Sequence, residues 1–222
     1  MTLDGGIMKG TTHLAIGAVI GAAGAVYYEM DFKTGAVCTA IAAFSALAAD
    51  LDGRNIMSGK LDKASGMLRS SMISLGLCLI GYVVYSRFIM NEVLRETFIA
   101  AVAVTLLGIL LKEGTIRNIL LSLAGGALAL WGGWGQMWWL AGLGLFIAIA
   151  PWLKHRGLTH TIWALAVWAG IGAGLEAQLG ISGLMRAAAA GYLSHLIADT
   201  LTPQGVKWLY PLSRKSVRLP FR

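Results

Sequence analysis

Charged side chains are scarce in this chain of 222 residues, of which only 13% are charged. Hydrophobic residues make up 57% of the chain, and the mean hydropathy is +0.69. Such a composition excludes an ordinary soluble domain and indicates a polytopic membrane protein. In that class a net charge of +7 reflects basic loops that orient the chain in the membrane, so we expect no nucleic-acid partner.

Cysteine and proline are also sparse, with two and four residues. Cys38 and Cys78 fall within apolar segments, which argues against a disulfide and against a cysteine-based metal motif. Glycine is abundant, with 29 residues, as is typical of packed membrane helices. The N-terminal segment lacks the pattern of a secretory signal peptide, and we expect none.

The hydropathy pattern predicts an all-α fold, a membrane helix bundle of about eight spans that forms a single transmembrane domain over residues 1–222. The spans are predicted at 13–28, 35–50, 71–90, 95–111, 116–132, 137–152, 159–175 and 183–201. A polar loop is expected over 51–70 and a basic tail over 202–222. Several spans are shorter than the ~20 residues that cross a bilayer, so their polar ends are expected at the interface or along a water-filled cavity.

The basic residues predict the orientation of the bundle. With eight spans both termini share one side, and 14 of the 18 lysines and arginines lie on that side. The other side has only Lys33, Arg87, Arg95 and Arg186. The positive-inside rule therefore places both termini in the cytoplasm, and we expect a multi-pass protein of the bacterial inner membrane.

Every histidine and three aspartates fall on the predicted cytoplasmic side, where apolar segments meet polar loops. Ionisable residues at such places are costly and suggest a functional site. Imidazoles and carboxylates are standard ligands of zinc and related divalent ions. The candidate metal ligands are His13, Asp50, Asp52, His155, His160, His195 and Asp199. This set exceeds one tetrahedral site and could serve two ions, or one ion and a base.

The spacing of these residues leaves structural alternatives open. His195 and Asp199 are four residues apart and share a helix face, where they could hold one cation or be an interfacial histidine beside a capping aspartate. Asp50 and Asp52 cannot share a helix face, so they act together only if the helix ends there, and Gly53 is a plausible helix terminator. The alternative is a solvated helix end.

The segment HRGLTH at 155–160 adds two candidates that do not bind metal. Thr159 is either an N-cap of the seventh span or a hydroxyl at the site. Arg156 is either an ordinary interfacial arginine or a clamp for a phosphoryl group, because its planar fork matches phosphate oxygens.

These motifs resemble a known family. THLAIGA at 12–18, DLDG at 50–53, HRGLTHT at 155–161 and GYLSHLIADTLTPQGVKWLYP at 191–211 are similar to the YdjM-like family of bacterial inner-membrane proteins, described as membrane-bound metal-dependent hydrolases. The resemblance implies a functional set that comprises the seven candidate ligands together with Arg156, Thr159 and Thr202. The chain departs from the family pattern at Thr161, where serine is common, and at Gly53, where many relatives have a polar residue. In motif style the family is also similar to zinc-dependent phospholipase C and P1-type nucleases.

We therefore expect a membrane-bound metal-dependent hydrolase that cleaves a phosphoester of a lipid or another amphiphilic substrate. One or two divalent ions, zinc or else manganese, would activate water. Asp52, Arg156 and Thr159 are the predicted catalytic residues, and Thr202 is predicted to contact the substrate or support the site. The alternatives are a transporter for divalent cations or a proton-coupled solute, and a non-enzymatic membrane scaffold.

Overall fold

The computed structural model describes residues 10–53 and 59–219. Within these ranges it contains eight α-helices, close to the predicted spans. They are α1 (Gly10–Tyr27), α2 (Phe32–Ala48), α3 (Gly59–Tyr85), α4 (Arg95–Leu110), α5 (Glu113–Trp134), α6 (Trp138–Ile149), α7 (Ile162–Leu179) and α8 (Leu184–Thr200). Five helical segments of the described ranges are long and apolar enough to cross a membrane, namely α1, α2 with its following turn, α3 with its following turn, α5 and α7.

The polar loop predicted over 51–70 is wrong for most of its length. Helix α3 begins at Gly59, so only a short connection separates it from the end of α2. The residues Lys60, Leu61, Lys63 and Ala64 are good helix formers, and a polar first turn does not prevent a helix. The polar residues of this segment showed where the apolar part of the chain ends, but they did not show where helix α3 begins.

Short turns of 3-10 helix lie next to two of the helices, one directly after α2 and one shortly before α7. Helix α2 continues through Ala49–Asp52 and ends at Gly53, where the sequence predicts a break. Ahead of α7, Leu158–His160 form a separate turn. The hydroxyl of Thr161 caps α7 by accepting a hydrogen bond from the amide of Ala164. The N-cap role considered for Thr159 is therefore wrong.

The described residues divide into two compact units, one within 1–56 and 121–222 and the other within 57–120. In the first unit α2 and α8 pack against each other and against α1 and α7, respectively. Their contact is very close, because a methyl group on Gly191 would overlap the carbonyl oxygen of Ala42. Small residues at such contacts let two helix backbones approach. In the second unit α3 packs against α4.

The segment after α8 folds back on the helix that precedes it. Val206 and Val217 pair through two main-chain hydrogen bonds, and Gly205 turns the chain with a positive φ of 65°. The amide of Leu219 donates to the carbonyl of Thr200 at the end of α8. The part of the basic tail that the structure describes is thus ordered against the end of the bundle where α8 terminates.

Candidate metal centre

The structure brings the seven candidate ligands to one end of the first unit. They come from four separate segments, which the sequence places far apart along the chain. The segments are the first turn of α1 with His13, the 3-10 turn after α2 with Asp50 and Asp52, the stretch before α7 with His155 and His160, and the last turns of α8 with His195 and Asp199. The i, i+4 spacing of the last pair places both side chains on one face of α8, as predicted.

Most of this cluster is removed from solvent. The side chains of His160 and His195 have no exposed surface, whereas 17% of the Asp50 side chain and 47% of the His155 side chain are exposed. The cluster therefore opens on the side of Asp50 and His155. Buried carboxylates and imidazoles are costly unless they are paired or bind a cation, so this grouping requires an electrostatic explanation.

Four ligand atoms lie close to one another within the cluster. The Nε2 atoms of His160 and His195 are 3.2 Å apart. Asp199 Oδ2 lies 3.4 and 3.7 Å from these two nitrogens, and Asp50 Oδ1 lies 3.7 and 3.5 Å from them. In a tetrahedral zinc site with bonds of about 2.0–2.1 Å, neighbouring ligand atoms are about 3.3–3.4 Å apart. The five distances, from 3.2 to 3.7 Å, are close to that separation.

The hydrogen bond of His195 fixes which of its nitrogens can bind a cation. Its Nδ1 atom lies 2.8 Å from the carbonyl oxygen of Ala46. A carbonyl oxygen only accepts hydrogen bonds, so Nδ1 carries the hydrogen and donates it. In the neutral ring Nε2 then has a free lone pair, and this lone pair faces His160.

A relay of two residues fixes His160 in the same way. The hydroxyl of Thr159 donates its hydrogen to Asp52 Oδ2, because a carboxylate only accepts. The contact of 3.0 Å between Thr159 Oγ1 and His160 Nδ1 must then have the imidazole as donor. The Nε2 lone pair of His160 is thereby directed at His195. Second partners of this kind commonly orient metal-bound histidines.

A proton can take the place of a cation between the two rings. Burial disfavours the charged form of His160, but hydrogen bonds to Asp199 and Asp52 and the negative charge of both outweigh it and raise the pKa to about 9. For His155, the hydrogen bond to Asp52 raises the pKa above its usual value against the opposing effect of burial. Both shifts show how strongly this end of the bundle attracts positive charge.

Asp52 accepts hydrogen bonds from three donors of the protein. Its Oδ1 atom lies 2.8 Å from Nδ1 of His155, and its Oδ2 atom accepts from the amide of Arg156 at 3.1 Å as well as from Thr159. The carboxylate is 3.4 Å from His160 Nδ1, on the side of the ring away from Nε2. Asp52 therefore supports the cluster from behind.

Arg156 adopts a left-handed backbone conformation with a φ of 57°, which is uncommon for a residue with a side chain. Its NH2 group lies 3.1 Å from Asp199 Oδ1, while NH1 donates to the hydroxyl of Thr202 and the carbonyl of Gly205. Its buried Nε–H has no partner among the residues that the structure describes. One donor of the guanidinium is thus unused beside the cluster.

His13 lies beside these ligand atoms. Its Nε2 atom is 3.5 Å from Asp199 Oδ1, and its ring stacks on that of His195 with 3.9 Å between centroids. The buried Nδ1 atom has no hydrogen-bond partner in the described part of the chain. An unsatisfied buried nitrogen in a ring that also contacts Asp199 is consistent with a centre that holds a cation.

Several partners of the site carry no signal in the sequence. The carbonyls of Ala46 and Gly205 orient His195 and Arg156, and any residue type would supply the same oxygen. Tyr192 donates from its hydroxyl to the carbonyl of Thr159 and so holds the turn that carries His160. Its position three residues before His195 is the only hint that the sequence offers.

Comparison with known proteins places the chain in a family. The sequence model of the family described as "YdjM inner membrane protein" matches residues 8–222, nearly the whole chain. The chain therefore belongs to the YdjM family of inner membrane proteins. No curated protein and no solved structure matches it.

Proposed function

We propose that this YdjM-family protein is a membrane-bound metal-dependent hydrolase that acts on a phosphoester of an amphiphilic substrate. The observation that carries the proposal is the pair of Nε2 lone pairs of His160 and His195, which face each other 3.2 Å apart between two carboxylates. Such an arrangement is repulsive until a proton or a metal ion lies between the two nitrogens.

The ligand chemistry favours zinc, with manganese as the alternative. Two imidazoles and two carboxylates are typical zinc donors, and the residues that would hold the ion are His160, His195, Asp50 and Asp199. When bound, such an ion lowers the pKa of a water ligand to near neutrality and polarises a phosphoryl oxygen. Asp50 is the partly exposed residue of these four, so water and substrate would approach the ion on its side.

Arg156 is proposed to bind the phosphoryl group, and Thr202 to hold its guanidinium in place. The guanidinium is fixed by Asp199 and by Thr202, which leaves Nε–H to donate to an anionic oxygen. A donor held in place before the substrate arrives costs no reorganisation during the reaction.

Asp52 and His155 are proposed to handle the proton. Asp52 holds the Nδ1–H of His155, so the other ring nitrogen of this half-exposed histidine can accept a proton from water. The role predicted for Asp52 alone thus passes to a hydrogen-bonded pair.

An apolar groove supports an amphiphilic substrate. It lies between α6 and α7, has a volume of about 270 Å³, and includes Leu145, Ile149 and Val167, whose side chains are about half exposed. It reaches Thr159, whose hydroxyl contacts Asp52 and His160. We propose that the hydrocarbon chain of the substrate occupies this groove while its headgroup reaches the metal centre.

The membrane side is part of the proposal. The excess of lysine and arginine on the side of the cluster supports a cytoplasmic location. The tail contributes Lys207, Arg214, Lys215 and Arg218 near the same end, and each basic residue near an anionic surface favours binding by about 1 kcal/mol. A transporter is less well supported, because the ligands lie at helix ends, whereas transporter sites usually lie near the midplane.

The test uses detergent-purified protein. Its metal content is measured by elemental mass spectrometry, and phosphate or headgroup release is measured with vesicles of phosphatidylglycerol and with an isoprenoid phosphate. We expect bound zinc or manganese and metal-dependent hydrolysis in the wild type, both lost in His160→Ala and Asp199→Ala. A protein that neither purifies with metal nor takes it up contradicts the proposal. Metal-dependent flux into proteoliposomes without hydrolysis would favour a transporter.

A further inference from the structure

We infer that the centre holds a single divalent ion, and that Asp52 and His155 position its ligands without binding a second ion. This inference rests on the proposed function, because it concerns the ion that the function requires. The sequence leaves one and two ions equally open, since its seven candidate ligands exceed one tetrahedral site.

Two of the possible ligand groups share the same histidine, His195. His13, Asp50 and His195 place ligand atoms within 4.8 Å of one another, and so do His160, His195 and Asp199. Both groups need His195, which can offer only Nε2 because a main-chain carbonyl engages its Nδ1. They cannot hold two ions at once.

The third group, Asp50, Asp52 and His155, is held together by protein hydrogen bonds. His155 Nδ1 and Asp52 Oδ1 bond directly at 2.8 Å, so no ion can lie between these two atoms while the hydrogen bond is intact. Asp52 Oδ2 accepts from Arg156 and Thr159. An ion that bound Nδ1 of His155, or that replaced the donors of Asp52, would have to break hydrogen bonds that the protein already supplies.

The outer oxygen of Asp199 is also taken. In two-metal centres the ions are about 3.5–4 Å apart, and a carboxylate that bridged them here would use both of its oxygens. Asp199 Oδ2 faces the two histidines, but Oδ1 lies 3.1 Å from the guanidinium of Arg156. The arginine therefore supplies positive charge where a second ion would sit, and the two charges would repel each other.

Towards the metal ion, Asp52 therefore acts as a positioning residue and not as a ligand. Through Thr159 it fixes the hydrogen of His160 on Nδ1, and through His155 and the amide of Arg156 it holds the turn that carries this ligand. Partners of metal-bound histidines typically change metal affinity by 10–100-fold when removed.

The experiment measures metal stoichiometry and does not depend on activity. Full-length protein in detergent is stripped with chelator, reloaded with Zn²⁺, and the ratio of metal to protein is determined. The absorption spectrum after Co²⁺ loading reports the coordination geometry independently. The variants are His155→Ala, Asp52→Asn and His160→Ala. Asp31→Asn is the matched control, because Asp31 caps the opposite end of the helix that leads to Asp50.

We expect about one equivalent of zinc in the wild type, in His155→Ala and in Asp31→Asn, with the same Co²⁺ spectrum. Asp52→Asn should keep about one equivalent but bind it 10–100-fold more weakly, and His160→Ala should bind none. About two equivalents in the wild type that fall to one in His155→Ala would overturn the inference while leaving the proposed function intact. A wild type without metal would contradict the proposed function itself, and the inference with it.

Discussion

The Nε2 atoms of His160 and His195 face each other across 3.2 Å, although the hydrogen bonds of both rings place the hydrogen on Nδ1. Two lone pairs in such proximity repel unless a proton or a metal ion lies between them. Carboxylates of Asp50 and Asp199 flank the pair and strengthen the demand for positive charge.

Zinc should stabilise the folded protein through this pair. We expect added Zn²⁺ to raise the unfolding temperature of the wild type in detergent, since a ligand at 100 times its Kd contributes about 2.7 kcal/mol. His195→Ala should abolish the shift and Asp31→Asn should retain it, as measured by circular dichroism on heating. An equal shift in His195→Ala would show that zinc binds elsewhere.

The hydroxyl of Thr159 should control zinc affinity without binding the ion. Thr159→Val keeps the shape of the side chain but breaks the relay from Asp52 to His160. We expect a loss of affinity of about 10–100-fold, measured by competition with a chromophoric chelator. Thr159→Ser restores the hydroxyl and should bind nearly as tightly as the wild type. Equal weakening by serine and valine would mean that packing, and not the hydrogen bond, matters at this position.

Zinc binding should depend steeply on pH. In the ion-free protein the pKa of His160 is raised to about 9, so the ring is protonated at neutral pH and the ion must displace that proton. Affinity should therefore rise about tenfold per pH unit up to about pH 9, which calorimetric titrations at several pH values would measure. In the ion-free protein the raised pKa contributes stability that is fully present below pH 6.5 and is lost as the pH rises through 9. An affinity that is constant between pH 7 and 8 would contradict a protonated His160.

Arg156 should be needed for turnover and not for metal binding. Lysine retains the charge but cannot reach Asp199, Thr202 and Gly205 at once, as the guanidinium does. We expect Arg156→Lys to lower kcat/KM by about 10²–10³ at unchanged metal content. Arg186→Ala, which removes an exposed arginine from the start of α8, serves as the control. Wild-type kcat/KM in Arg156→Lys would remove this residue from the proposed site.

Filling the groove between α6 and α7 should affect long-chain substrates alone. A Cβ atom added at Gly142 would lie in ordinary contact, 3.4 Å from Ile171, so we expect Gly142→Leu to fold with its side chain in the groove that Gly142 lines. We expect hydrolysis of phosphatidylglycerol to fall at least about tenfold, while a small water-soluble phosphoester is cleaved as before. Gly170→Leu, placed in open space on α7, is the matched control. Equal losses on both substrates would mean that the variant disturbs the centre itself.

Residue type and order predicted most of the helices and placed the candidate ligands at their ends. Long apolar segments must become helices in a membrane because their main-chain groups have no other partners there. The seven candidate ligands lie at the ends of those segments. Four histidines at such positions, where ionisable side chains are costly, already suggested a common site. The pairing of His195 with Asp199 followed from helical periodicity alone.

Only the packing of the helices shows which carboxylate and which ring nitrogens face the possible ion. Asp50 and Asp52 are equivalent in the sequence, yet packing places Asp50 against the histidine nitrogens and surrounds Asp52 with donors. The orientation of His195 depends on the carbonyl of Ala46, which any residue would supply and which only the approach of α8 to α2 brings within 2.8 Å. Roles of this kind depend on distances between segments far apart in the chain. Residue type and spacing do not encode those distances.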